Sequence, residues 1–229
     1  EVEIAKKIEH EENRLLELLV SLRIGVNYIC DVGQKFIDGL IRAKNLVKGF
    51  DDEQDQATDE GQTQRVKVLV ENFMKLARAV VDIEDRVGFR GTADLSFADK
   101  EILQDCRMQM FEVIKEINVN RKIIQQIVVE LDNHAKIVSD YTKEISRIRV
   151  RTRLDDSKLS AHFSSNTNRP IEVNFLSEKE WLSLKNSYFF AQNAIQESEQ
   201  ACFLGRKEIP IRYQLIDNAT RFAEDAKRE

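Results

Sequence analysis

Apolar residues recur every three or four positions along residues 2–47, and this long run restricts the possible folds more than any other feature. The spacing is typical of one face of a helix, which would be about 70 Å long at 1.5 Å per residue. A helix of that length needs equally long partners to cover its apolar face. Eight glycines and two prolines among 229 residues leave few interruptions to such helices. The sequence therefore predicts an all-α, elongated fold and a homodimer.

Helical spacing recurs over residues 66–83, 97–153 and 177–202. Gly88 and Gly91 interrupt it between the first two of these stretches. The apolar residues of a last amphipathic stretch are Leu215, Ala219 and Phe222. We expect an antiparallel bundle of three long helices plus a short kinked C-terminal helix, which together form a single domain over the whole chain, residues 1–229.

Three local signals mark helix boundaries further along the chain. Ser96 with Asp99, and Ser177 with Glu180, have the spacing at which an N-cap hydroxyl and a carboxylate three positions on satisfy the first backbone N–H groups. Pro210 cannot continue a helix from the preceding turn, so a kink or a restart is expected there.

The acidic stretch DDEQDQATDEGQ, residues 51–62, has spaced carboxylates like those of a calcium loop. However, its sixth position is Gln56 rather than glycine, and its twelfth is Gln62 rather than glutamate. A solvated connector is the better interpretation.

The sequence contains no recognisable arrangement of catalytic or metal-binding residues. His10, His134 and His162 lie far apart, with no cysteine or histidine at ligand spacing. Neither a glycine-rich phosphate loop after a strand nor a nucleophile motif is present. We expect a protein that is not an enzyme and that uses no cofactor and no metal.

Charge and cysteine content restrict the environment and the partners. A net charge of −5 argues against general nucleic-acid binding, which needs a basic face to release counterions from phosphates. The three cysteines, at positions 30, 106 and 202, are odd in number and widely separated, which favours a reducing compartment. No apolar run has the length of a membrane span or a signal peptide. We expect a cytoplasmic protein.

The segment EISRIRVRTRLDDSK, residues 144–158, places four arginines in seven positions of an otherwise acidic chain. Cations near a helix C-terminus gain about 0.3–1 kcal/mol from the helix dipole, so a solvated helix end explains one or two of them. Each basic residue near an anionic leaflet can add about 1 kcal/mol, so an anionic surface explains all four. The second interpretation is favoured, and the first stays open.

Two further segments indicate a family. VGQKFIDGLIRAKNLVKGF, residues 32–50, has a glycine, an aromatic residue, a leucine and a Lys-Gly-aromatic sequence at the intervals of the first helix of the inverse BAR family, the missing-in-metastasis homology domains. QACFLGRKE, residues 200–208, resembles that family's last long helix. The arginine segment, 144–158, falls where the family has the basic end of its second long helix. The resemblance covers most of the chain in order and spacing.

The resemblance implies an antiparallel, side-by-side homodimer that binds phosphoinositide-rich membranes through basic tips, generates or senses membrane curvature, and links the plasma membrane to actin or to a Rac-type GTPase. The residues that match the basic tip are Lys143, Arg147, Arg149, Arg151, Arg153 and Lys158.

The chain departs from the family in two respects. It is acidic overall, and Asp155 and Asp156 dilute the basic tip. Arginine replaces much of the expected lysine, which keeps the charge but favours bidentate phosphate contacts. Two alternatives therefore stay open: a dimeric scaffold that binds actin or a Rac-type GTPase without lipid, and a BAR-type module of the opposite curvature.

Overall fold

The computed structural model describes residues 2–48, 56–88, 95–164 and 170–225. Within these ranges it has nine α-helices, a short 3-10 turn at Ile171–Val173, and no strand. The helices are α1 (Val2–Val20), α2 (Arg23–Ile37), α3 (Ala43–Leu46), α4 (Gln56–Val87), α5 (Phe97–Ile117), α6 (Arg121–Thr152), α7 (Asp156–Ser164), α8 (Glu178–Cys202) and α9 (Glu208–Asp225). The prediction of an all-α fold is confirmed.

The single long helix predicted over residues 2–47 is wrong. The chain bends after α1 at Leu22, whose backbone is extended (φ −106°, ψ 130°), and α2 starts at the next residue. A Cβ atom at Gly25 would lie against the carbonyl oxygen of Leu19, so the bend requires a residue without a side chain there. The apolar spacing continues through the bend, and spacing alone therefore does not reveal it. Leu40, predicted to belong to the same stripe, is instead exposed in the turn after α2.

The helix predicted over residues 97–153 is also interrupted, between α5 and α6. Asn118 takes up a left-handed conformation (φ 53°) that ends α5, and the side chain of Asn120 caps α6 by accepting from the N–H of Lys122 (3.0 Å). The backbone N–H of Asn120 donates to the carbonyl of Leu46 (2.7 Å). This interruption thus joins the α5–α6 junction to the end of α3, and two helices replace the single helix that the sequence predicts.

The local boundary signals fared better. Ser96 accepts from the N–H of Asp99 (3.1 Å), and Ser177 with Glu180 forms a complete capping box at the start of α8. A new helix, α9, begins two residues before Pro210, where the missing N–H costs no helical hydrogen bond. These predictions are confirmed.

The two predicted loops have different outcomes. Gly88 ends α4 with a positive φ of 69°, as expected for a break, whereas Gly91 lies outside the described residues. Of the acidic stretch 51–62, the first five residues lie outside the described ranges and the rest belong to α4. Its connector interpretation is therefore wrong from Gln56 onward, because acidic residues are favourable near a helix N-terminus.

Buried side chains form two separate cores. The first core unites α1 to α5, the first half of α6, α9 and Cys202 at the end of α8. It includes a close approach of α2 to α4, since a Cβ at Gly33 would lie 2.7 Å from Cγ1 of Val70. The second core contains Ile145, Ile148, Leu154, Leu159, Phe163, Val173, Leu176, Trp181, Tyr188, Ala191 and Ile195. Helices α6 and α8 contribute to both cores.

Candidate functional site: a basic groove beside the arginine segment

The arginine segment forms the end of α6, as the sequence predicts. The helix ends at Thr152, and Arg153 follows in a left-handed conformation (φ 57°) as its C-cap. The guanidinium of Arg153 lies over the ring of Phe175, 5.3 Å from its centroid. Lys158 is exposed in the first turn of α7, where its backbone N–H donates to Asp155 (2.9 Å). That hydrogen bond is the main reason why the pKa of Asp155 is lowered.

Four of the six predicted residues form ion pairs with carboxylates. The pairs are Lys143–Asp140 (3.3 Å), Arg147–Glu144 (3.2 Å), Arg149–Asp156 (3.4 Å) and Arg151–Glu180 (2.8 Å). Both partners of each pair are substantially solvent-accessible, and exposed pairs of this kind contribute about 0.2–1 kcal/mol. An incoming phosphate can therefore replace such a carboxylate at small cost.

The six residues do not form one cluster, because Lys158 is on α7 and the four that belong to α6 lie on different sides of that helix. Arg147 lines a groove between α6 and α8, beside Glu144 and the edge-to-face ring pair of Tyr141 and Phe190. Lys143 and Arg149 line a different groove. The structure thus divides the predicted basic tip into separate surfaces.

The groove that contains Lys143 and Arg149 has a volume of about 420 Å³ and also contains Arg206 and Lys207, from the turn between α8 and α9. Its other lining residues are Val138, Ser139, Thr142, Ile145, Ser146, Asp156 and Pro210. We call this site the basic groove. Four cationic side chains line it, and among the described residues of its lining only Asp156 is acidic. Hydroxyl groups on α6 add neutral hydrogen-bond donors.

The turn that carries Arg206 and Lys207 is held by a buried carboxylate. Helix α8 ends at Cys202 with Phe203 as a left-handed C-cap (φ 54°). The backbone N–H of Arg206 then donates to Oε1 of Glu199 (2.8 Å), a residue only 7% exposed. Burial makes this hydrogen bond costly to break, so the turn has a fixed position against α6.

The sequence did not reveal this site, although it contains all four cations. Segment 200–208 resembles a family helix, and nothing in the sequence connects Arg206 and Lys207 with the arginine segment. Their proximity depends on the packing of α9 and α8 against α6, which links residues about 60 positions apart. A sequence pattern of period three or four contains no information about such a contact.

The structure places His134 and the three cysteines, the other side chains with reactive atoms, in packed surroundings rather than in a catalytic arrangement. His134 is half-buried and lies 3.2 Å from the hydroxyl of Ser198, through its Nδ1 atom. The three cysteines are free thiols, and burial raises the pKa of Cys30 to about 11 and that of Cys202 to about 12. These two thiols are protonated at neutral pH and are therefore poor nucleophiles.

Two further kinds of feature are absent from the residues that the structure describes. No group of three or more His, Cys, Asp or Glu residues within those ranges is arranged to hold a metal ion. Nor does any helix in the described part of the chain combine the length and apolarity needed to cross a membrane.

The chain matches no protein-family model and no curated protein sequence with which it was compared. The resemblance to the inverse BAR family therefore stays a prediction. Two of the residues that carry it, Gly49 and Phe50, lie outside the described ranges.

Proposed function

We propose that the chain is a peripheral membrane-binding module whose basic groove holds the phosphate groups of anionic lipids, phosphoinositides in particular. One observation supports this proposal above the others: two cations of α6 and two of the α8–α9 turn converge on one groove with a single acidic side chain in its described lining. An acidic protein that concentrates positive charge at one position has a natural contact for an anionic surface.

The energetics of the groove favour phosphate over the carboxylate partners. Each basic residue close to an anionic leaflet contributes about 1 kcal/mol, so four residues supply about 4 kcal/mol before any specific contact. The guanidinium groups of Arg149 and Arg206 can each donate two parallel hydrogen bonds to a phosphate. The exposed pairs that Lys143 and Arg149 form with aspartates are weaker than these contacts.

A homodimer belongs to the same proposal. Two grooves on one particle must detach together, so dimerisation raises the avidity for a membrane without any new contact. In this proposal the module works at the cytoplasmic face of the plasma membrane, generates or senses curvature, links the membrane to actin or a Rac-type GTPase, and catalyses no reaction. These elements rest on the family resemblance.

A charge-matched pair of variants tests the proposal. The groove variant carries Lys143→Gln, Arg149→Gln, Arg206→Gln and Lys207→Gln. The control carries Lys35→Gln, Arg65→Gln, Lys75→Gln and Arg78→Gln, which removes two exposed lysines and two exposed arginines from α2 and α4. Sedimentation with vesicles of phosphatidylcholine and phosphatidylinositol bisphosphate should fall at least tenfold for the groove variant only. Raising the salt concentration should weaken the parent chain in the same way.

Equal sedimentation of the groove variant and the parent chain would contradict the proposal. If the parent chain does not bind these vesicles but is dimeric and sediments with actin filaments, the lipid-independent scaffold is the correct alternative. Light scattering on all three proteins gives the dimer mass and shows that the substitutions leave assembly intact.

A further inference from the structure

Helix α9 carries apolar residues on two different faces. Ile209, Ile216, Ala219 and Ala223 are buried, and the helix packs with that face against α1 and α6. Of the three apolar residues with which the sequence predicts a last amphipathic stretch, only Ala219 lies on this buried face. Ile211, Leu215 and Phe222 are 56%, 37% and 55% exposed, respectively.

The three exposed residues form one narrow stripe. At about 100° per residue they fall within a sector of roughly 40°, and they extend over about 16 Å of the helix axis. Asn218 lies between Leu215 and Phe222 on the same face. We call Ile211, Leu215 and Phe222 the α9 stripe. It begins directly after Pro210, which lines the basic groove.

The charges around the α9 stripe fit an anionic surface. Arg212 and Arg221 are exposed and lie on opposite sides of the stripe. Arg221 pairs with Asp217 at 2.9 Å, whose carboxylate lies away from the stripe. Glu208, at the start of α9, is an exposed acidic residue near this face. An apolar face with flanking arginines is the pattern of helices that lie in the membrane interface.

We propose that the α9 stripe lies in the headgroup region of an anionic bilayer while the basic groove holds lipid phosphates. This inference rests on the proposed function, which it extends from electrostatic attraction to apolar contact. The groove and the stripe adjoin along the chain, since Pro210 lines the groove and Ile211 begins the stripe.

The size of the α9 stripe favours a bilayer over a second copy of the chain. A stable protein interface buries about 800 Å² on each partner, which three partly exposed side chains in a row of about 16 Å do not provide. A bilayer needs no complementary shape, and a few apolar side chains next to basic residues suffice for interfacial binding.

Tryptophan fluorescence tests the insertion of the α9 stripe directly. The parent chain has one tryptophan, Trp181, which is buried in the second core and gives a constant background. Phe222→Trp adds an exposed tryptophan at the end of the stripe. With vesicles that contain brominated phosphatidylcholine and phosphatidylinositol bisphosphate, emission of the Phe222→Trp variant should be quenched at least twofold more than emission of the parent. Val129→Trp, at a side chain that is also 55% exposed, is the matched control and should show no added quenching.

A second variant set separates this inference from the proposed function. Ile211→Gln, Leu215→Gln and Phe222→Gln together should leave vesicle binding at low salt unchanged. They should reduce at least fivefold the fraction of protein that stays bound to vesicles at high salt. Val68→Gln, Met108→Gln and Val129→Gln, at similarly exposed positions, should change neither.

The outcomes are distinguishable. Vesicle binding through the groove without quenching of the Phe222→Trp variant overturns the stripe inference alone. Quenching of that variant in a protein whose groove substitutions have no effect overturns the groove and retains the stripe. Conversion of a dimer to a monomer by the three glutamines would show that a second copy covers the stripe, and it overturns the inference. A parent chain that binds no vesicles overturns both.

Discussion

The two cores differ in how they are held together, although α6 and α8 run through both. The first core collects side chains from eight helices and is mainly aliphatic. The second is smaller and centres on aromatic residues, with the ring of Phe163 4.7 Å from that of Trp181 and 5.1 Å from that of Tyr188. The basic groove lies where the two cores meet on α6, since Val138 belongs to the first and Ile145 to the second.

Their ionic contacts show the same difference. In the first core Glu84, only 5% exposed, accepts from Arg107 at 2.8 Å and from Arg23 at 3.4 Å. Beside the second core Glu180 accepts from Arg151 at the same 2.8 Å, but both side chains are about half exposed. Two pairs of equal length therefore contribute differently to stability, because water screens the second pair more than the first. A charged segment such as 144–158 cannot be interpreted from its charges alone.

The largest effect on the free energy of unfolding is expected from removing a central aromatic ring from each core. Phe163→Ala in the second core and Phe73→Ala in the first should each cost about 3–5 kcal/mol. Because the second core depends on α6 and α8 being held by the first, Phe73→Ala should lower the unfolding transitions of both Trp181 emission and helical circular dichroism. Phe163→Ala should lower the Trp181 transition and leave most of the dichroism transition in place. Coincident transitions in both variants would mean that the cores are one cooperative unit.

Replacing the carboxylates of Glu84 and Glu180 should have a smaller effect on the free energy of unfolding. Glu84→Gln leaves the guanidinium of Arg107 without the counter-charge of Glu84, whereas Arg23 keeps its pair with Asp85 (2.8 Å), and it should lower the free energy of unfolding by about 2 kcal/mol. Glu180→Gln should shift the urea midpoint much less, since the glutamine side chain can still accept from Ser177. Urea titrations followed by circular dichroism measure both. A larger shift for Glu180→Gln would reverse the comparison.

Acid should weaken the second core before the first. Hydrogen bonds from Ser177, and then the guanidinium of Arg151, lower the pKa of Glu180 from its ordinary 4.5. A carboxyl group whose pKa is lowered in the folded state stabilises the fold at any pH above its ordinary pKa. This contribution is lost as the pH falls from the ordinary pKa through the lowered one. Beside the first core, the pKa of the exposed Asp85 is lowered from its ordinary 3.8, mainly by the hydrogen bond from Arg23.

The urea midpoint reported by Trp181 should therefore fall first as the pH is lowered from about 5 to about 3. Part of that fall should be absent in Glu180→Gln. A Trp181 midpoint that is independent of pH over this range would show that the capping box contributes nothing to the second core.

The smallest effect on stability, and the clearest on binding, is expected from neighbouring arginines. Arg147→Gln and Arg149→Gln each remove one exposed ion pair and should change stability by less than about 0.5 kcal/mol. Only Arg149 lines the basic groove, so Arg149→Gln should weaken vesicle binding several-fold while Arg147→Gln leaves it nearly unchanged. Equal losses would favour a diffuse basic tip, as the sequence predicts, over a groove.

The sequence predicted what depends on near neighbours. The caps at Ser96 and Ser177 and the burial of Leu103, Met110 and Leu131 follow from spacings of three and four residues. The sequence prediction failed where a contact between residues far apart in the chain determines the local structure. Asn120 interrupts a helical pattern because its backbone pairs with Leu46 and its side chain donates to the carbonyl of Lys44 (3.2 Å). Arg206 joins the site because Glu199 fixes its turn. Neither effect is visible in apolar periodicity.

The most direct test of the central claim is the chemical reactivity of lysines at the groove. An amine-specific acylating reagent, with mass spectrometry of the digested protein, measures the labelling rate of each lysine with and without phosphatidylinositol bisphosphate vesicles. The account predicts that vesicles slow labelling of Lys143 and Lys207 at least fivefold and leave Lys35 and Lys75, on α2 and α4, unchanged. Equal protection of all four lysines, or protection of none while the protein is bound to vesicles, would contradict it.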